Sequence, residues 1–321
     1  MTLPPFFAFL LALGAPGAAA AQTFGLPLDC KGCLVQNYAD IDPGPQARDP
    51  ACGPLTYEGH DGLDFRVTAA AAAAGVPVLA PADGVVRAVR DGQADGALGV
   101  VGRAGLRGVE CGNGVVIDHQ DGWSSQLCHM RNGSVRVAPG AKVSAGQPLG
   151  LIGLSGATEF PHVHLTLRRA GVVVEPLSGT PLAQAACAAT PAPPGAHWAA
   201  SARQTLTYKG AQWFVSGFAA PVAGAEPEAW PRAAAQGPAL TFWSLIVGPR
   251  AGDILRVRLI GPDGAVIAET ARTQTKDQAQ AWLYAGKKTP AGGWAKGRYR
   301  GEAVLERGGK AVARRDDTMT F

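Results

Sequence analysis

A chain of 321 residues is long enough for two globular domains, each burying a core of its own. Its net charge of +4 comes from Lys and Arg that are dispersed, which excludes a nucleic-acid footprint and leaves a surface compatible with an anionic polymer such as cell wall. With 43 Gly and 25 Pro among small and aliphatic residues, turns are frequent and β-structure is favoured over long helices.

Residues 1–21 read as a secretory signal peptide: Pro5–Leu13 is apolar, and Ala18 to Ala21 supply small residues before Gln22, although no Lys or Arg precedes the run. The run is too short to span a bilayer, so no stable membrane insertion is expected after cleavage near Ala21, and the periplasm is favoured over the exterior. The six cysteines fit an oxidising compartment. Cys30 and Cys33 form a C-x-x-C without a second such motif or a His pair, so structural disulfides are the better reading. Cys111 and Cys128 flank a predicted hairpin, Cys33 and Cys52 bracket a loop, and Cys30 with Cys187 would remain; spacing leaves the connectivity open.

Residues 22–56 form an irregular lead-in rich in Asp, Pro and Gly. Val76–Leu79 and Val85–Val89 are a first pair of strands, and Asp91–Glu110 is a Gly-rich loop without periodicity. Gly114–His119 and Trp123–His129 make the clearest hairpin, turned at Gln120-Asp121-Gly122. Leu149–Ile152 follows, then a hairpin of His162–Arg168 with Val172–Glu175. A Pro-rich linker over 186–198 separates the first domain, 22–185, from a second over 199–321. There the strand patterns are Thr205–Phe214, Ala239–Ile246, Ile254–Ile260, Ala265–Ala271, Ala279–Tyr284 and Tyr299–Leu305, which suit a small antiparallel sandwich. Six tryptophans, from Trp198 to Trp294, fall in this half and are read as core rather than as a carbohydrate-binding face.

Chemistry concentrates in two short motifs. His60 and Asp64 are four residues apart, and His162 and His164 are two apart; on strands each pair shares a face and can converge on one point. Val163, Leu165 and Leu167 would then enter the core while His162, His164 and Thr166 line the open face. Neutral imidazoles with one carboxylate suit zinc, which polarises a carbonyl and acidifies water, as amide hydrolysis requires.

These motifs stand in register with others: Gly59–Phe65, Val76–Val86, Gly112–His119, Gln126–Met130, Val143–Gly150 and Pro161–Leu165. Together, from about Tyr57 to Pro176, they resemble the lysostaphin-type (LytM-like) zinc metallopeptidases of bacterial cell walls. The resemblance implies a mainly β, antiparallel metallopeptidase domain in which His60, Asp64 and His164 bind one zinc. It implies that His129 and His162 flank the water as general base and oxyanion partner. His119 is read as structural, His197 as a surface residue, and Asp61 as a solvated turn residue. Leu127 stands where the family commonly has an aromatic residue, and Ala69–Ala74 and Asp91–Glu110 are insertions relative to the family core. The expected activity is an exported zinc metallo-endopeptidase cutting peptide bonds of peptidoglycan. The alternative is a catalytically silent LytM-like regulator that activates other wall hydrolases, and a protein or glycan partner is expected for the C-terminal domain. A lipoyl- or biotinyl-carrier barrel is disfavoured, since no Lys occupies the expected hairpin.

Overall fold

The computed structural model describes residues 21–29 and 31–321; the expected signal segment lies outside these save for Ala21, and so does Cys30. Ten strands build the first half: β1 (Leu34–Asn37), β2 (Leu63–Arg66), β3 (Pro77–Leu79), β4 (Gly84–Arg90), β5 (Asn113–Asp118), β6 (Trp123–Met130), β7 (Lys142–Val143), β8 (Pro148–Leu151), β9 (His162–Arg169) and β10 (Val172–Val173). Eight of them form an antiparallel sheet in the order β1-β2-β9-β6-β5-β4-β7, with β10 on β9. The two strands read as a first pair do not pair with one another: β3 joins β8 in a separate ribbon, and β4 lies between β5 and β7.

Two segments are more ordered than their sequence suggested. The lead-in contributes β1, an edge strand on β2. The Gly-rich loop carries a one-turn helix, α2 (Ala97–Val101), and a 3₁₀ turn that buries Leu106. The alanine run forms helix α1 (Ala69–Ala74), started by the Thr68 hydroxyl accepting from Ala71 N and stopped by Gly75 at φ 99°.

Alternation along β9 explains the core. Val163, Leu165 and Leu167 are fully buried and join Leu63, Phe65, Val115, Ile117 and Leu127 in one apolar cluster. That cluster also takes in Trp198, whose indole N–H donates to Pro176 O at 2.7 Å, so this tryptophan packs into the first core and not the second. The segment over 186–198 is tied down at Cys187, bonded to Cys52. This bond overturns the expected Cys33–Cys52 and Cys30–Cys187 pairs; Cys33 is itself disulfide-bonded. Cys111 and Cys128 are bonded as expected.

The second half opens with helix α3 (Ala200–Leu206), which replaces the start of the strand expected from Thr205. Seven strands follow: β11 (Gln212–Ala219), β12 (Ala239–Val247), β13 (Ile254–Ile260), β14 (Val266–Thr273), β15 (Gln280–Lys288), β16 (Arg298–Arg307) and β17 (Lys310–Thr320). They make a three-stranded sheet, β11-β12-β15, and a four-stranded sheet, β14-β13-β16-β17. Their inner faces share a core of Phe218, Leu240 and Phe242 against Leu255, Val257, Leu259, Leu305 and Met319, the sandwich that was expected. Gly301 lets the sheets meet: a Cβ there would stand 2.2 Å from Phe242 Cδ2. Strand β17 does not follow from the sequence pattern, because the consecutive charges Arg314-Arg315-Asp316-Asp317 interrupt any apolar alternation along this edge strand.

Candidate metal centre

Antiparallel register brings the two motifs face to face. Asp64 on β2 lies directly opposite His164 on β9, and His164 in turn lies opposite Cys128 on β6, one residue before His129. His60 enters from the turn preceding β2. Its Nε2 stands 3.1 Å from Asp64 Oδ1 and 3.1 Å from His164 Nδ1, and that Nδ1 is 2.9 Å from Asp64 Oδ1. Three donor atoms on buried residues thus form a nearly equilateral triangle. Tetrahedral zinc with ligand bonds near 2.0–2.1 Å sets adjacent donors about 3.3 Å apart, so the group fits zinc with a slight outward relaxation.

Each donor is aimed by a further contact. His60 Nδ1 meets Tyr38 O at 2.6 Å, Asp64 Oδ2 accepts from Asn37 Nδ2 at 2.8 Å, and His164 Nε2 meets Asp61 Oδ1 at 3.1 Å and Thr166 Oγ1 at 2.9 Å. Gly62 permits this closeness: a Cβ there would lie 2.4 Å from Leu165 O and 2.8 Å from His164 Cε1.

His129 and His162 complete the group. Their rings stand 4.6 Å apart, and His162 Nε2 is 3.3 Å from Asp64 Oδ1. His129 Nδ1 meets Ser155 O and His162 Nδ1 meets Phe160 O, each at 2.9 Å. Those carbonyls only accept, so in the neutral rings each Nδ1 carries the proton and each Nε2 keeps its lone pair. His129 adopts φ 63°, a left-handed backbone unusual for a non-glycine residue, held by its N–H to Cys111 O and its carbonyl to Gly153 N.

Burial and neighbours divide the charges. Burial alone would raise the Asp64 carboxyl, but His60, His162 and His164 outweigh it and hold it well below the ordinary range. Burial pushes His129 well below the usual imidazole value, reinforced by His162 and His164, so this ring is neutral at pH 7. For His164 burial is outweighed by its contacts with Asp61 and Asp64, which raise it to about 9. Asp61 is lowered to about 2: burial opposes this, and His164, Thr166 and Arg168 prevail.

A family model described as "Peptidase family M23" matches residues 58–176, the span holding all five of these side chains. The chain carries a peptidase family M23 domain. Over 118 residues it is 30% identical to the cell division protein DipM of Caulobacter vibrioides, a match covering 37% of this chain and 16% of DipM. Among solved structures, a zinc-containing peptidase from Vibrio cholerae is 22% identical with a TM-score of 0.34, covering 52% of this chain and 41% of that one. The catalytic domain of lysostaphin from Staphylococcus simulans is 23% identical with a TM-score of 0.27, covering 44% and 80%.

The M23 domain opens on one side as a cleft of about 490 Å³, lined by His60, His129 and His164 with Tyr57, Arg90 and Arg103 on its rim. His162, His164 and Thr166 are buried, and of these His164 and Thr166 line the cleft, the side of β9 that the strand pattern left open. His119 lies apart, its nitrogens held by Asp83 O and Ser125 Oγ. His197 is half-buried, not on the surface: it stacks on Trp123 and meets Pro176 O at 2.8 Å. Asp61, expected to be a solvated turn residue, supports His164. Sequence reasoning missed Asn37 and Tyr38, and only the amide in a short apolar run of the lead-in hinted at the former.

Proposed function

We propose that the M23 domain is a zinc metallo-endopeptidase acting on peptide bonds of peptidoglycan, in an exported protein whose 199–321 region is an accessory β-domain. The observation that carries it is the triangle of His60 Nε2, Asp64 Oδ1 and His164 Nδ1, with sides of 2.9–3.1 Å. Zinc held there would polarise the scissile carbonyl and make water a competent nucleophile near neutral pH. The chain's own part is positional and protic. His162 keeps its Nε2 lone pair 3.3 Å from Asp64 Oδ1 and the His129 ring stands 4.6 Å from that of His162, so one can take a proton from the attacking water while the other, once protonated, donates to the developing oxyanion. Their Nδ1 anchors on Ser155 and Phe160 keep both rings oriented through the cycle. Disulfides support an oxidising compartment outside the cytoplasm. Among the described residues, no helix is long and apolar enough to cross a membrane.

The test is zinc content of the purified full chain together with mass spectrometry of fragments released from purified peptidoglycan. Wild type is expected to hold one zinc and release peptides. His60→Ala should lose both properties, whereas His129→Ala should keep zinc and lose roughly 10²–10⁴-fold in turnover. Full zinc without any released fragment would favour the silent regulator. Wild-type hydrolysis by His60→Ala would end the assignment altogether.

A further inference from the structure

Arg66 is nearly fully buried yet makes no ion pair among the described residues. Its Nη1 donates to Gln36 Oε1 at 2.7 Å and to Gln280 Oε1, both neutral acceptors, and its Nε has no partner. The guanidinium carbon lies 4.6 Å from the centroid of Phe160 and 5.2 Å from that of Phe214. A buried cation not paired directly with a carboxylate costs several kcal/mol, offset here by two aromatic faces, two amide oxygens and the more distant charges of Glu228 and Glu226. Burial lowers its pKa to about 10, with Glu228 and Glu226 opposing, so the charge is retained at neutral pH.

Its neighbours give the costly placement a use. Arg66 on β2 is the cross-strand partner of His162 on β9. The Phe160 ring that it covers lies 4.7 Å from the His162 ring at 35°, and the Phe160 carbonyl anchors His162 Nδ1. On the far side, Phe214 belongs to β11 and Gln280 to β15, both strands of the sandwich. A further contact runs from Ala69 N to Glu228 Oε1 at 2.6 Å.

We propose that Arg66 is a positioning residue through which the C-terminal sandwich sets the orientation of His162: Phe214 and Gln280 hold the guanidinium, the guanidinium holds Phe160, and Phe160 backs the imidazole. The accessory region is then a working part of the reaction centre rather than only a tether. This inference rests on the proton-transfer role proposed above for His162, and it places no charge or ligand on the metal.

The test uses the full chain loaded with zinc. Arg66→Met and Gln280→Ala are expected to lower kcat about tenfold to a hundredfold, with KM and zinc content within about twofold of wild type, the signature of a misaimed group rather than of lost binding. Gln280→Glu keeps an acceptor for the guanidinium and should retain wild-type kcat within about threefold, a rescue that follows from charge-assisted hydrogen bonding. In parallel, ¹⁵N-histidine spectra, assigned with His162→Gln, report the ring directly: Arg66→Met and Gln280→Ala should move the His162 nitrogens and leave those of His129 in place. These spectra decide the question even if the wild-type chain proves to have no turnover, which would remove the proposed function and not this coupling. Unmoved His162 signals in folded Arg66→Met and Gln280→Ala would overturn the inference, as would kcat losses that track loss of zinc or of folded protein.

Discussion

Asn37 donates its side-chain amide to Asp64 Oδ2 at 2.8 Å, fixing the oxygen that turns away from the imidazoles. The contact joins edge strand β1 to β2 and leaves Asp64 Oδ1 free to face His60 and His164. Asn37→Ala would strand a buried carboxylate oxygen and let the group rotate. Zinc affinity is expected to fall about 10- to 100-fold, the usual cost of losing such an outer contact. Chelator competition on the purified variant reads this directly, and an unchanged Kd would show that β1 plays no part in aiming Asp64.

Gly62 is constrained by space rather than by φ. An alanine methyl would collide with the carbonyl of Leu165, which the β2–β9 ladder holds in place, and with the His164 ring. The ring is the softer of the two and should yield. Gly62→Ala is therefore expected to destabilise the fold by about 1–3 kcal/mol. It should also weaken zinc retention more than an Ala substitution at a surface glycine such as Gly292, which has open space around it. Equal zinc stoichiometry in both variants after dialysis against a weak chelator would refute this account.

How much of this was legible depends on how far a side chain must reach for its partner. His60 with Asp64 and His162 with His164 declare themselves because four- and two-residue spacings share a strand face. A lone His129 carries no such signal, and only the resemblance around Gln126–Met130 singled it out. The roles of Asn37 and Asp61 arise from partners 27 and 103 residues away in sequence, which no local pattern encodes. The same holds for Cys52 and Cys187, separated by 135 residues, where bracketing a short loop suggested the wrong partner. Strand β17 escaped notice because one face of an edge strand needs no apolar residues.

The disulfide Cys111–Cys128 closes a hairpin beside His129, whose N–H donates to Cys111 O. With a sequence separation of 17 it should contribute about 3 kcal/mol by restricting the unfolded chain. Its second effect is local: without it the left-handed backbone at His129 loses one of its restraints. Replacing both cysteines by serine is expected to lower the denaturant midpoint and to reduce kcat, while zinc, held by other strands, remains stoichiometric. A kcat equal to wild type at a temperature where the variant stays folded would confine the bond to a stabilising role.

Acid sensitivity of the sandwich should trace to Asp253. Its carboxylate takes two hydrogen bonds from Arg307, at 2.7 and 2.8 Å, and one from Arg250 N at 2.8 Å. Burial works to raise its pKa, but Arg307 and the Arg250 amide outweigh it, so the folded value lies below the unfolded one. A depressed carboxyl means that the folded state binds fewer protons. The stabilisation is therefore complete above the unfolded value, near pH 4, and is lost as the pH falls from there towards the folded value. Asp253→Asn should cost about 1.5 kcal/mol at pH 7, the contribution of hydrogen bonds to a charged group. The gap between wild type and variant should narrow as the pH falls below about 4. Taking the difference in denaturant midpoint at each pH cancels the titration of every other carboxylate, including Asp64. A gap that stays constant from neutral pH to pH 3 would show that Asp253 acts through shape and not through its charge.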